Sequence, residues 1–227
     1  MRDNKAIYEE MQDIRVKLLN KEIPDRYPPD MSRVMQPYSK SPGSYYIEKF
    51  DFINISSFVP VSKSWARRLA VFLGKGKCLE IMAGKGVLTK CLKDFGTVIR
   101  ATDDYSWKWH RSQRNKSGKR LSEQELWCEV EELDAVLSVE KYGGETDFII
   151  CCCPPFGDEC LYDSLIKMRK INPKCKMIYI GEGRGGCHAE GKFFSAARFI
   201  KDDRDFNHVT SLYQNWPLIE DKLNLVV

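Results

Sequence analysis

The sequence predicts an α/β chain with an N-terminal helical extension. Its core would be a doubly wound, seven-stranded, mostly parallel sheet closed by a C-terminal antiparallel hairpin. Two observations carry this. From Gly76 onward, short and wholly apolar runs alternate with helix-length amphipathic runs, the pattern of parallel strands covered by helices on both faces. Before that point the periodicity is helical and then breaks at a series of prolines.

In chain order, residues 4–21 place Ile7, Met11, Ile14 and Leu18 on one stripe, which predicts an amphipathic helix with a buried seam. Residues 22–44 carry Pro24, Pro28, Pro29, Pro37 and Pro42 and are read as an extended wrap or linker. Residues 1–61 are accordingly treated as an extension and 62–227 as the main domain. A helix capped by Ser62 or Ser64 runs to Leu73 and ends at Gly74. "CLEIM" is the first strand, and "GVLTKCLKDFG" a helix closed by Gly96. "TVIRATD" and "LWCEVEEL" are the second and third strands, and "DAVLSVEKYGG" a helix opened by Asp134. "DFIICCC" is a fourth strand, "CLYDSLIKMRKINP" a helix, "KMIYIGE" a fifth strand and "KFFSAARFIKDD" a helix. "HVTSLYQNW" and "DKLNLVV" are read as the terminal pair of strands.

Composition excludes several classes. Of 227 residues, 43% are hydrophobic and 30% charged, an ordinary globular balance. No apolar run approaches the roughly 20 residues that a membrane span needs. The first 19 residues carry acids throughout, unlike a signal peptide. Nine cysteines, an odd number with no CxxC pair, argue against a disulfide framework and a structural zinc site. Buried thiols in a reducing, cytoplasmic setting are expected. A net charge of +4 does not by itself point to nucleic acid.

The turn after the first strand reads Glu80-Ile81-Met82-Ala83-Gly84-Lys85-Gly86. A Walker A loop needs Gly-Lys followed by Ser or Thr, but Lys85 sits between two glycines and Val87 follows. A dinucleotide GxGxxG fails as well, because position 89 is Thr. An acid near the strand end followed by A-G-x-G remains. It resembles motif I of the class I, Rossmann-like S-adenosylmethionine-dependent methyltransferases, with Met82 at the first glycine position of that motif. The resemblance covers about residues 62–227 and implies S-adenosyl-L-methionine as cofactor. By it, Glu80 would help to hold the methionine part, and Met82, Ala83, Gly84 and Gly86 would pass under the ligand. Asp103 ends the second strand, where the resemblance puts an acid against ribose hydroxyls, with Asp104 beside it. Asp134 stands either near the adenine amino group or as a helix cap.

"CCCPPF" resembles motif IV of amino-group methyltransferases, in which a polar residue precedes Pro-Pro-aromatic. Pro154, Pro155 and Phe156 match, while Cys153 replaces the polar residue, and a thiol is a weak acceptor. Cys153 is therefore read as a site wall, with a nucleophilic role as the alternative. Cys151 and Cys152 are read as strand thiols facing opposite sides of the sheet. Glu182, Arg184, Cys187 and His188 lie in a glycine-rich loop, where Glu182 or His188 can act as general base. Residues 108–120 hold six Lys/Arg and no acid, with Trp107 and Trp109 flanking the start. Trp107, Trp109, Arg111 and Arg114, with His188, form the candidate substrate surface, and their chemistry suits phosphate contact and base stacking.

The expected activity is thus methyl transfer to a nucleic-acid base (DNA or RNA) or another planar amine. Two alternatives stand beside it: a fold that binds the cofactor for cleavage or sequestration, and a degenerate fold that serves as a nucleic-acid-binding module.

Overall fold

The computed structural model describes residues 2–36, 45–106 and 123–227. Helix α1 (Asn4–Leu19) buries Ile7, Met11, Ile14 and Leu18, the stripe expected from the spacing. Strands β1 (Met35–Gln36) and β2 (Ile47–Glu48) form a small parallel pair. Helix α2 (Lys49–Ile55) follows, in a stretch where the sequence reading has no helix. Helix α3 (Lys63–Leu73) turns Trp65, Ala66, Leu69 and Leu73 inward and ends at Gly74.

The main sheet begins with β3 (Cys78–Ile81), followed by α4 (Val87–Asp94), β4 (Ile99–Asp103), β5 (Glu131–Glu132) and α5 (Ala135–Tyr142). The chain continues through β6 (Phe148–Cys152), α6 (Cys160–Ile171), β7 (Lys176–Gly181) and α7 (Gly191–Ala196). It closes with β8 (Phe199–Ile200), α8 (Arg204–Thr210) and β9 (Lys222–Val226). The seven strands lie in the order β5-β4-β3-β6-β7-β9-β8, and β9 alone runs against its neighbours. The strand order reverses at β3, between β4 and β6, which makes the carboxyl ends of β3 and β6 the switch point of the sheet.

Register decides what meets there. Cys78 to Ile81 pair with Phe148 to Cys151, so β3 and β6 emerge from the sheet together. Glu80 pairs with Ala101, which carries β4 to the same edge. Alternation along the strands sorts side chains into two apolar layers. Leu79, Ile81, Ile149 and Cys151 pack beneath α5 and α6. Cys78, Ile150 and Ile178 pack in the other layer, which continues without a break into Ile7, Met11, Tyr27 and Phe52 of the N-terminal segment. Cys151 and Cys152 fall on opposite faces, as alternation requires.

The antiparallel pair at the C-terminal end is present, but its first strand lies earlier than expected. Phe199 and Ile200 pair with Val226 and Leu225. The helix read over 192–203 stops at Ala196. The stretch read as a strand from His208 begins as the end of α8. Asp203 caps that helix by accepting from the Phe206 amide at 3.0 Å, and Phe206 and Val209 are its buried face. A cap and a three-residue spacing outweigh the alternation that suggested a strand.

Trp216 joins the two ends of the chain. Its ring meets Tyr27 at 5.1 Å and Phe52 at 5.9 Å, both edge-on. Gln214 accepts from the Tyr27 amide and donates to its carbonyl, at 3.1 and 2.9 Å.

Candidate active site

Helices must start above the strand ends of such a sheet, and the turns there leave a crevice. A cavity of about 440 Å³ lies at that edge, lined by the Met82–Lys85 turn, Asp103, Asp134 and Cys152–Pro155. A second hollow of about 490 Å³ sits at the opposite edge, among Lys77, Arg100 and Glu145. Size does not separate the two. The edge does, because only the first is walled by strand C-termini and helix starts.

The glycine turn is built as close approach demands. Met82, Gly84 and Gly86 all have positive φ, at 54°, 58° and 73°. A Cβ on Gly84 would meet no atom within 4 Å, so this backbone borders open space. A Cβ on Gly86 would lie 2.7 Å from Cys128 Sγ and 2.8 Å from Val130 Cγ2. Gly84 therefore faces the cavity, and Gly86 is a packing glycine against the β5 side.

Asp103 is 3% exposed and pins the turn. Its Oδ2 accepts from the Gly84 amide at 2.7 Å and its Oδ1 from the Tyr105 amide at 2.6 Å. Asp104 is exposed and accepts from the Ser106 amide at 2.8 Å, holding the turn that follows. Asp134 caps α5, accepting from the Val136 and Leu137 amides at 2.8 and 3.1 Å, while also lining the cavity. Asp134→Ala is expected to cost about 1 kcal/mol of stability through loss of that cap, read as a lower urea midpoint.

Glu80 is 3% exposed and accepts from the Thr89 amide at 3.0 Å and from the Thr89 hydroxyl, tying β3 to the first turn of α4. Burial pushes its carboxyl up to about 7 against the pull of the Thr89 bonds. The folded chain therefore keeps a proton that the unfolded chain has already released. Stability from this group falls as pH rises from 4.5 toward about 7. Glu80→Gln is expected to flatten the unfolding midpoint over that interval, measured by chemical denaturation at a series of pH values.

Cys153 follows β6 with a left-handed φ of 50°, and its amide donates to the Ile180 carbonyl at 2.8 Å. Burial, with the Asp221 charge beside it, pushes the thiol well above its ordinary range. A protonated thiol is a poor nucleophile, so by itself Cys153 is a wall of the cavity. Pro154 and Pro155 line the same wall, and Phe156 stands 66% exposed beyond them. Phe58 also borders the cavity and is 48% exposed.

The Glu182 carboxylate is turned into its own loop. It accepts from the Cys187 amide at 2.7 Å and the Glu220 amide at 3.4 Å, and the Cys187 bond holds it below the usual carboxylate range. This makes Glu182 a loop clamp and a weak proton acceptor. His188 does line the cavity, and its Nδ1 lies 3.3 Å from Asp221 Oδ1. Trp107, Trp109, Arg111 and Arg114 lie outside the described residues.

Two features of the site escape sequence reasoning. Ile53 of α2 and residues 56–59, between α2 and α3, form one wall of the cavity. They are tied to the glycine turn, since Lys85 Nζ donates to the Asn54 carbonyl at 2.5 Å and Trp127 Nε1 to the Ile55 carbonyl at 3.4 Å. Nothing in "INISSFV" marks such a role; the prolines around it signal only an irregular path. Asp221 is the other, the second of two adjacent acids before the last strand.

No protein-family model matches the chain, and no curated protein does. Similar solved structures do exist. Magnesium protoporphyrin IX methyltransferase from Synechocystis PCC 6803, solved with bound SAM, matches with a TM-score of 0.43 and 11% identity over 72% of this chain and 78% of that one. A TehB-like SAM-dependent methyltransferase from Corynebacterium glutamicum gives 0.39 and 14% over 72% and 86%. The glycopeptide N-methyltransferase MtfA gives 0.34 and 17%, and the match spans about half of each chain, 54% of both. All three match at low identity with TM-scores below 0.5, and the residues of this chain carry its chemistry.

Proposed function

We propose that the chain is an S-adenosylmethionine-dependent methyltransferase. One observation carries the reading: a glycine turn whose Gly84 borders open cavity is pinned by the buried carboxylate of Asp103 at the switch point of the sheet. Open space over Gly84 lets a ligand lie against backbone. Asp103, one strand away, offers the carboxylate that vicinal hydroxyls of a ribose require. The cavity of about 440 Å³ falls within the roughly 300–1,000 Å³ usual for small-molecule sites. The residues present therefore fit a nucleoside cofactor. Asp134 stands at the adenine end and Glu80 beneath the methionine end, acting through Thr89 and the start of α4.

When bound, the cofactor supplies an electrophilic methyl group. The chain's part is to align an acceptor and exclude water. Pro154 and Pro155 give that wall a rigid shape, and the exposed Phe156 and Phe58 rings are suited to stack on a planar acceptor. A planar amine or nucleic-acid base is the acceptor class this favours, and the basic stretch 108–120 adds affinity for phosphate. Cys153 offers no strong hydrogen-bond acceptor for an amine, so orientation falls to the Pro154 and Pro155 backbone and to stacking.

The test is calorimetric titration with S-adenosylmethionine and S-adenosylhomocysteine, followed by transfer of a labelled methyl group to single-stranded DNA, RNA and small planar amines. Micromolar binding with label on an acceptor supports the reading. Binding accompanied by cofactor breakdown, with no labelled acceptor, would favour cleavage. Nucleic-acid binding without cofactor binding would favour a degenerate binding module.

A further inference from the structure

Three side chains meet at the edge of the cavity from three separate parts of the chain. Cys153 comes from the end of β6, His188 from the loop before α7, and Asp221 from the residue before β9. One ligand-capable atom from each lies within 4.8 Å of the other two. Cys153 Sγ is 3.7 Å from Asp221 Oδ2, and His188 Nδ1 is 3.3 Å from Asp221 Oδ1. A tetrahedral zinc ion, with bonds of about 2.3 Å to sulfur and about 2.0 Å to nitrogen and oxygen, holds its donors roughly 3.3–3.5 Å apart. The two contacts to Asp221, made to different oxygens, are close to that separation, and the three donors, within 4.8 Å of one another, would draw together around a bound ion.

A second observation points to a cation. Asp221 is 2% exposed, and its Oδ1 accepts no hydrogen bond. A buried carboxylate oxygen without a donor is costly. The neighbouring His188 Nδ1 accepts from the Glu182 amide at 3.3 Å, so it offers Asp221 no proton, and a metal at Nδ1 would displace that amide. Nδ1 and Asp221 Oδ1 thus lie 3.3 Å apart with no proton between them. Lys49 is near enough to feel the Asp221 charge, yet its ammonium donates to the Pro217 carbonyl at 3.2 Å.

We propose that Cys153, His188 and Asp221 are the protein ligands of a zinc ion whose fourth position opens into the cavity. A thiolate, an imidazole and a carboxylate together suit zinc better than calcium or magnesium. Three protein ligands with one open position are the pattern of a zinc that binds water or substrate, not of a closed structural site. His188 and Cys153 both line the cavity, so the open position faces it. On binding, the Cys153 proton leaves to solvent and the sulfur lone pair goes to the metal. Ligands at 153, 188 and 221 show none of the close spacing by which zinc sites are read from sequence. The site rests on these atoms and does not depend on the cofactor reading.

The full chain, stripped with chelator, is dialysed separately against zinc and cobalt(II), and bound metal is counted by elemental analysis. One equivalent per chain is expected, with a thiolate-to-cobalt charge-transfer band in the cobalt form. Cys153→Ser should abolish the band, and His188→Gln and Asp221→Asn should each weaken binding by more than about tenfold. Cys187→Ser removes a cavity thiol outside the cluster and should keep the full equivalent. Circular dichroism is read for every variant, and because Asp221 is buried, Cys153→Ser and His188→Gln decide the matter if Asp221→Asn fails to fold. No bound metal at micromolar free zinc would overturn the proposal and leave His188 and Asp221 as a plain polar contact. A full equivalent retained by either deciding variant would overturn it equally, by placing the metal on other thiols.

Discussion

Asp103→Ala is expected to weaken S-adenosylmethionine binding by on the order of 100-fold or more. Hydrogen bonds to a charged partner contribute about 1.5–3 kcal/mol each, and a ribose offers two. A loss of about 3 kcal/mol corresponds to roughly 100-fold. The carboxylate also holds the Gly84 and Tyr105 amides, so its removal releases the turn that the ligand must lie against. Asp103→Asn keeps the shape and one acceptor oxygen, and should fall between the two. Calorimetric titration of wild type and both variants checks this. Wild-type affinity in the alanine variant would remove Asp103 from the cofactor site and leave the glycine turn without its main argument.

The second large effect separates the two glycines. Gly86→Ala should lose on the order of 2–4 kcal/mol of stability, seen as a lower denaturant midpoint with unchanged slope. Its Cβ would meet Cys128 Sγ at 2.7 Å and Val130 Cγ2 at 2.8 Å, on a backbone already at φ 73°. Gly84→Ala carries only the left-handed strain of about 1–2 kcal/mol, because no atom lies within 4 Å of its Cβ. It should fold and yet, on the proposed reading, bind S-adenosylmethionine poorly, since the new methyl projects into the cavity. Equal stability losses in the two variants would contradict the assignment of Gly84 to the cavity and Gly86 to packing.

The central strands were legible because parallel strands buried on both sides must be continuous apolar runs, as in "FIICC" and "KMIYIG". The glycine turn was legible because positive φ restricts residue type, and the structure places Asp103 against it through the Gly84 amide. Strand β8 was not, since two residues between a helix and an acidic stretch carry no period. The cavity wall at 53–59 and the placement of Asp221 beside Cys153 and His188 were invisible for a different reason. Each is made by contact between residues far apart in the chain, and the local pattern around each says nothing of the partner. Glu182 illustrates the reverse case. Its position in a glycine-rich loop suggested a base, whereas the fold uses its carboxylate to hold the Cys187 and Glu220 amides.

The junction of Trp216 and Gln214 with Tyr27 and Phe52 bears on the order in which the molecule assembles. These contacts span 187 residues between Tyr27 and Gln214. The chain entropy of closing so long a loop must be met before the junction returns anything, which favours late formation. The segment it anchors leads directly into the wall that Lys85 and Trp127 tie to the glycine turn. A half-folded chain with its central strands paired would therefore have the turn but not the roof. Ligand affinity would then arrive in the last kinetic phase of refolding, after most secondary structure has formed, and the bound ligand would slow unfolding by holding shut the step that opens first.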